Sequence, residues 1–197
     1  MIRLLGLPAL VLGLSASACA HVPLMSMAKL SSIDFATTDL SQLRAGIALP
    51  DSLAPVDGGV RMTILAETED GMTIRRTFAL EGEAVSSVAD PAAGLGDTAK
   101  PGETVWVYRL PGRAAADLDE MRADLMAHKQ ETGNGGRMEI RIGAEACRTE
   151  PLTDAPLLMT TFLKTSETET FVPLARNVDL RSLAPAERLA GTLPSCV

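Results

Sequence analysis

A chain of 197 residues offers few side chains to nucleophilic, metal or stacking chemistry: three cysteines, two histidines, four phenylalanines, one tryptophan and one tyrosine. Cys19, Cys147 and Cys196 could serve as thiolates, metal ligands, lipid-attachment points or disulfide partners, and spacing must choose among these roles. No C-x-x-C pair occurs, and His21 and His128 are far apart in sequence, so a zinc site has no recognisable donor set. No G-x-S-x-G or H-E-x-x-H pattern supplies a hydrolase nucleophile or base. The match to G-x-G-x-x-A at "GLGDTA", residues 94–99, lacks the strand before it and the helix after it that a dinucleotide needs, because Lys100-Pro101-Gly102 follows at once. Carboxylates cluster as Glu67, Glu69 and Asp70, and again as Glu81 and Glu83, without the aromatic platforms of a sugar cleft, and read as solvated turns. No cofactor and no metal is expected.

Cys19 is decided by what precedes it. Arg3 is the only charged residue before Lys29, and Leu4 to Leu14 is an unbroken apolar run. A short apolar run behind one positive charge is the pattern of a signal peptide, and it falls short of the roughly 20 residues that span a bilayer. Ala16, Ser17 and Ala18 then present small side chains immediately before Cys19. The segment resembles the lipobox of bacterial lipoprotein precursors over about its first twenty residues, with Ala16 standing where that family most often has leucine. The resemblance implies that residues 1–18 are cleaved as a signal peptide and that Cys19 carries a diacylglycerol thioether and further acylation of the palmitate type. Two or three acyl chains anchor a protein stably, whereas one does so only marginally. The resemblance further implies a Gram-negative envelope, with Ala20 favouring the outer membrane and a domain facing the periplasm. The alternative is ordinary secretion of a non-lipidated periplasmic protein.

With Cys19 assigned to lipid, an even pair of cysteines remains. An oxidising periplasm then predicts a Cys147–Cys196 disulfide, which closes a loop of about 50 residues and restricts the unfolded chain by roughly 4 kcal/mol. Loss of residues 1–18 removes Arg3, leaving 17 basic against 25 acidic residues and a formal charge of −8. An acidic surface is repelled by phosphate backbones and anionic headgroups, so nucleic acid is not an expected partner and the membrane contact falls to the lipid anchor.

The elements that must hold these groups follow from periodicity. Residues 19–41 show no sustained repeat and predict a tether, and residues 42–197 predict one globular domain. Period-two runs predict strands at "LRAGIALP", "VRMTILAE", "MTIRRTFALEGE", "TVWVYRL", "RMEIRIGAEAC" and "LLMTTFLKT…ETFVPL". A three-residue loop, Glu69-Asp70-Gly71, would oppose Met62 to Phe78 and Ala66 to Ile74, give Gly71 the left-handed position of a bulged hairpin, and leave Arg76 facing inward opposite Ile64. Residues 113–131 predict a helix, with Ala114, Leu118, Met121 and Leu125 as its apolar stripe and Gly133 as its stop. His128 continues that stripe four residues after Asp124. Trp106 and Tyr108 alternate on one strand and so share a face, either packed in the core or exposed as a candidate partner surface.

The predicted fold is α+β: a mostly antiparallel sheet or β-sandwich-like domain of six to eight strands with one packed helix. The expected function is non-catalytic, an envelope lipoprotein that binds or supports another envelope component. The alternative is a periplasmic enzyme with a dispersed active site.

Overall fold

The computed structural model describes residues 24–87, 98–133, 135–183 and 193–196. The leader, Cys19, Ala20, His21, residues 94–97 of the glycine-rich match and Leu189 lie outside the described residues. Eight strands are described: β1 (Arg44–Pro50), β2 (Leu53–Thr68), β3 (Thr73–Ala79), β4 (Glu81–Ser87), β5 (Glu103–Arg109), β6 (Gly136–Arg148), β7 (Leu158–Lys164) and β8 (Val172–Asp179). They form a five-stranded sheet ordered β4-β5-β1-β7-β8 and a three-stranded sheet ordered β3-β2-β6, with antiparallel pairing throughout. The α+β expectation holds.

The run "MTIRRTFALEGE" is two strands rather than one. β3 pairs with β2, β4 pairs with β5, and the chain passes from one sheet to the other at Leu80. Leu80 is buried and donates its N–H to the Val60 carbonyl at 3.0 Å, so the crossing is held by both packing and a hydrogen bond. Period two survives such a corner, which is why alternation alone does not reveal it.

The apolar faces of the two sheets meet in one cluster that includes Ala45, Ile47 and Leu49 of β1, Val60, Met62 and Ile64 of β2, Phe78, Ile142 and Leu163. β1 is the central strand of its sheet and is buried on both sides: Ala48 joins Val105, Val107 and Phe162 on the opposite face. Helix α2 (Gly112–Thr132) closes the main cluster through Leu118 and Met121, with Ala114 and Leu125 packed alongside, as the stripe requires. Gly133, at φ 71°, ends the helix and donates to the Lys129 carbonyl.

The β2–β3 hairpin has the predicted register, with Met62 opposite Phe78 and Ala66 opposite Ile74. Gly71 sits at φ +92°, its N–H donating to Thr68 O at 3.0 Å. Arg76 stands opposite Ile64 yet is exposed, because β3 is an edge strand and the long side chain escapes past the rim.

The tether reading of residues 19–41 is corrected from Leu24 onward. Residues Leu24–Leu30 form helix α1, a single 3-10 turn spans Leu40–Gln42, and Leu30, Ile33, Phe35 and Leu40 pack on the main cluster. Their spacing fits neither a helix nor a strand because they cover the side of a sandwich from an irregular path. Arg122 of α2 secures this segment by donating Nη2 to the Thr38 carbonyl at 2.9 Å and lying 5.5 Å from the Phe35 ring centroid.

The Cys147–Cys196 disulfide is formed, with Cα atoms 5.0 Å apart. It joins the end of β6 to residues 193–196, where Ser195 makes a parallel bridge to Arg148 and Leu193 is buried in the main cluster.

Two stability measurements follow. Gly71→Val should destabilise by about 1 kcal/mol or more in urea melts, since a β-branched residue is strained at positive φ. Cys147→Ser and Cys196→Ser should each cost on the order of 2–4 kcal/mol, with the double variant no worse than either single one, because all three remove the same bond.

Candidate functional site

The residues singled out by sequence do not converge. Trp106 and Tyr108 lie on the face of β5 shared with its pairing partners Ile47 and Ala45, partly buried against the main cluster. They belong to the core side rather than to a free partner surface, while Val105 and Val107 fill the opposite side. Burial pushes the Tyr108 phenol up to about 12, and the negative charge of Asp57 acts in the same direction.

His128 does not pair with Asp124. Its Nε2 lies 3.0 Å from Oδ2 of Asp70, joining the end of α2 to the hairpin tip. The Thr68 hydroxyl is the main influence holding the Asp70 carboxyl below its ordinary range, and His128 adds to it. The acidic group read from sequence as a solvated turn is thus partly a structural clasp.

Sequence reasoning missed the Ser-x-x-Lys spacing of Ser26 and Lys29 on α1, the arrangement of an activated serine. The structure separates the two roles, since Ser26 is buried while Lys29 is exposed and points its Nζ at Thr170 Oγ1, 3.4 Å away.

A polar cavity of about 600 Å³ opens at the start of α2, with Arg44, Arg109 and Arg122 on its walls. Each guanidinium already faces a carboxylate: Arg44–Glu83 and Arg109–Glu81 at 2.5 Å, and Arg122–Asp119 at 3.3 Å. An incoming anion would have to displace these partners. No base and nucleophile meet among the residues that line it.

The second large cavity differs in kind. About 570 Å³ of open groove runs beside β6, with mostly apolar walls. Its floor is the half-buried Leu174 and Ala175 of β8 beside the buried Leu163 of β7, its lip is Leu30 at the end of α1 and Ile33 after it, and its far wall is β6 from Met138 to Ile142. The geometry follows from strand number, because a three-stranded sheet cannot cover a five-stranded one and α1 covers only part of the excess. Both Ile140 and its neighbours Glu139 and Arg141 border the groove, whose wall is therefore the strand's main-chain edge as well as its side chains. Met138 is 38% exposed, one of the few large apolar side chains so open among the described residues. A concave apolar surface beside a polar main-chain edge can hold an extended or elongated apolar ligand; it carries no acid–base pair for a reaction.

The single tyrosine makes one electrostatic feature directly measurable. Absorbance titration should give a midpoint near 12 rather than the ordinary 10.0, and Asp57→Asn should lower it. Because the neutral phenol is favoured only in the folded state, stability should be full below pH 10 and should decline as pH rises from there toward about 12.

Compared with known proteins, the chain matches no family model, no curated protein and no solved structure.

Proposed function

We propose that this chain is an envelope lipoprotein, anchored through a lipidated Cys19, whose folded domain works as a binding module and not as an enzyme. The observation that carries the reading is the use of the three cysteines. Cys147 and Cys196 are bonded to each other, which leaves Cys19 alone behind an apolar leader and three small residues. A persistent structural disulfide suits an oxidising compartment, and a lone cysteine at that place suits lipid attachment. Only five residue steps separate Cys19 from Leu24, a reach of at most about 18 Å, so the domain would sit close to the bilayer. Among the described residues no helix is long and apolar enough to cross a membrane; the anchor would supply the attachment. The binding role is supported by the apolar groove, which lies on the side of the domain bordered by the segment after α1.

Expression of Cys19→Ser in the Gram-negative envelope tests the anchor. The variant should leave the membrane fraction, and mass spectrometry of the parent's mature N-terminus should show acyl additions on Cys19 that the variant lacks. Unchanged fractionation and an unmodified N-terminus in the parent would defeat the lipoprotein reading. Density separation of inner from outer membranes then tests the expectation from Ala20.

A further inference from the structure

Among the described residues, β6 is paired on one side only along most of its length. The Glu69 N–H donates to the Gly135 carbonyl at 3.1 Å, and the β2–β6 register runs unbroken from Thr68↔Gly136 to Val60↔Ala144. Hydrogen-bonded pairs alternate in an antiparallel ladder, so Arg137, Glu139 and Arg141 turn their main-chain groups toward β2. Met138, Ile140 and Ile142 therefore turn theirs outward, into the groove. Among the described residues no backbone partner meets these outward groups. The end of the same edge shows what they accept: Arg148 donates to Pro194 O at 2.8 Å and receives the Cys196 N–H at 2.9 Å, with the disulfide beside this isolated bridge.

We propose that this edge receives an extended segment of another protein, added as a fourth strand to the three-stranded sheet, with apolar residues alternating with charged ones and acids facing Arg137 and Arg141. The apolar residues of the added strand would project over Leu174 and toward Leu30 and Ile33, the half-buried side chains that line the groove. Charge selects the acidic partner. The three strands of this sheet carry Arg61, Arg75, Arg76, Arg137, Arg141 and Arg148 against Asp57, Glu67, Glu139 and Glu145, a basic balance on a chain that is acidic as a whole. The outward guanidinium side chains of Arg137 and Arg141 are 82% and 61% exposed despite their contacts with Glu67 and Glu139. The docking continues an interaction that the chain already makes with its own C-terminal residues. It specifies the ligand class of the binding module proposed above and is independent of the lipid anchor.

The test uses the mature lipidated chain in detergent and, in parallel, the Cys19→Ser chain, with the peptide Val-Asp-Val-Lys-Val-Asp-Val as probe. Saturating peptide should slow hydrogen exchange at the Met138, Ile140 and Ile142 amides at least tenfold in both preparations. The amides of Glu139 and Arg141, already bonded to β2, should change little. Ile140→Pro removes an outward N–H that the sheet does not use and should weaken peptide binding at least tenfold; Met138→Pro provides the same test at the next outward position. An intact disulfide and parental Trp106 fluorescence confirm folding. Arg137→Glu with Arg141→Glu should invert the preference toward Val-Lys-Val-Asp-Val-Lys-Val. No added protection at the three outward amides, equal binding by the folded proline variants, or displacement of the peptide by decanoate with those amides exchanging freely would overturn the proposal. The last result would assign the groove to acyl chains. Equal behaviour of the two preparations leaves the anchor to be judged by the N-terminal mass alone.

Discussion

Two sheets of unequal width must bury one shared apolar layer, and the rest of the molecule is arranged around that mismatch. Five strands present Ala45, Ile47, Leu49 and Leu163 toward the interior, while three strands answer with Val60, Met62, Ile64, Phe78 and Ile142. Apolar area left to water would forfeit roughly 25 cal/mol per Å², so the uncovered margins need other elements. Helix α2 supplies Leu118 and Met121. The end of α1 supplies Leu30 and the segment after it Ile33, and the space between them and β6 is the groove. The groove thus arises from the same constraint that builds the core.

Connections between the layers are concentrated at a few places. Leu80 carries the chain directly from one sheet to the other, with its amide held by Val60. Arg122 ties α2 to the Thr38 carbonyl, and the Thr38 hydroxyl donates to Glu167 at 2.6 Å in the turn between β7 and β8. One polar chain therefore links the helix, the N-terminal segment and the far end of the larger sheet. The disulfide does the same for residues 193–196, tying them to the end of β6 close to the buried Leu193.

The sheet edges are not equivalent. β4 is interrupted by a register shift between Gly82 and Ala84, a device that discourages another strand from adding. β8 has irregular pairing on β7 and a left-handed Asn177 at φ 52°. β6 is 13 residues long and, among the described residues, its outer edge is paired at its end alone, by residues 194–196. That asymmetry gives the domain a direction in which its sheet can be extended.

Local chemistry was legible in the sequence wherever neighbours along the chain decide the outcome. The hairpin register followed from pairing like faces around Gly71, and α2 followed from its apolar stripe and its glycine stop, because both depend on residues within a few positions of one another. The Cys147–Cys196 pairing was legible by elimination, with Cys19 set aside on the resemblance of its surroundings to a lipobox. Tertiary structure decided the break at Leu80, since alternation is the same on either side of a corner. It decided that Phe35, Leu40 and their neighbours belong to the body, because an irregular segment has no period and acquires meaning only from the surface it covers. It placed Trp106 and Tyr108 on the core side, a choice that two equally alternating faces left open. It joined His128 to Asp70 in place of Asp124, and it created the groove, which exists only because strands distant in sequence were shared unequally between two sheets. A strand's unpaired edge is a property of its neighbours in space, and no pattern along the strand encodes it.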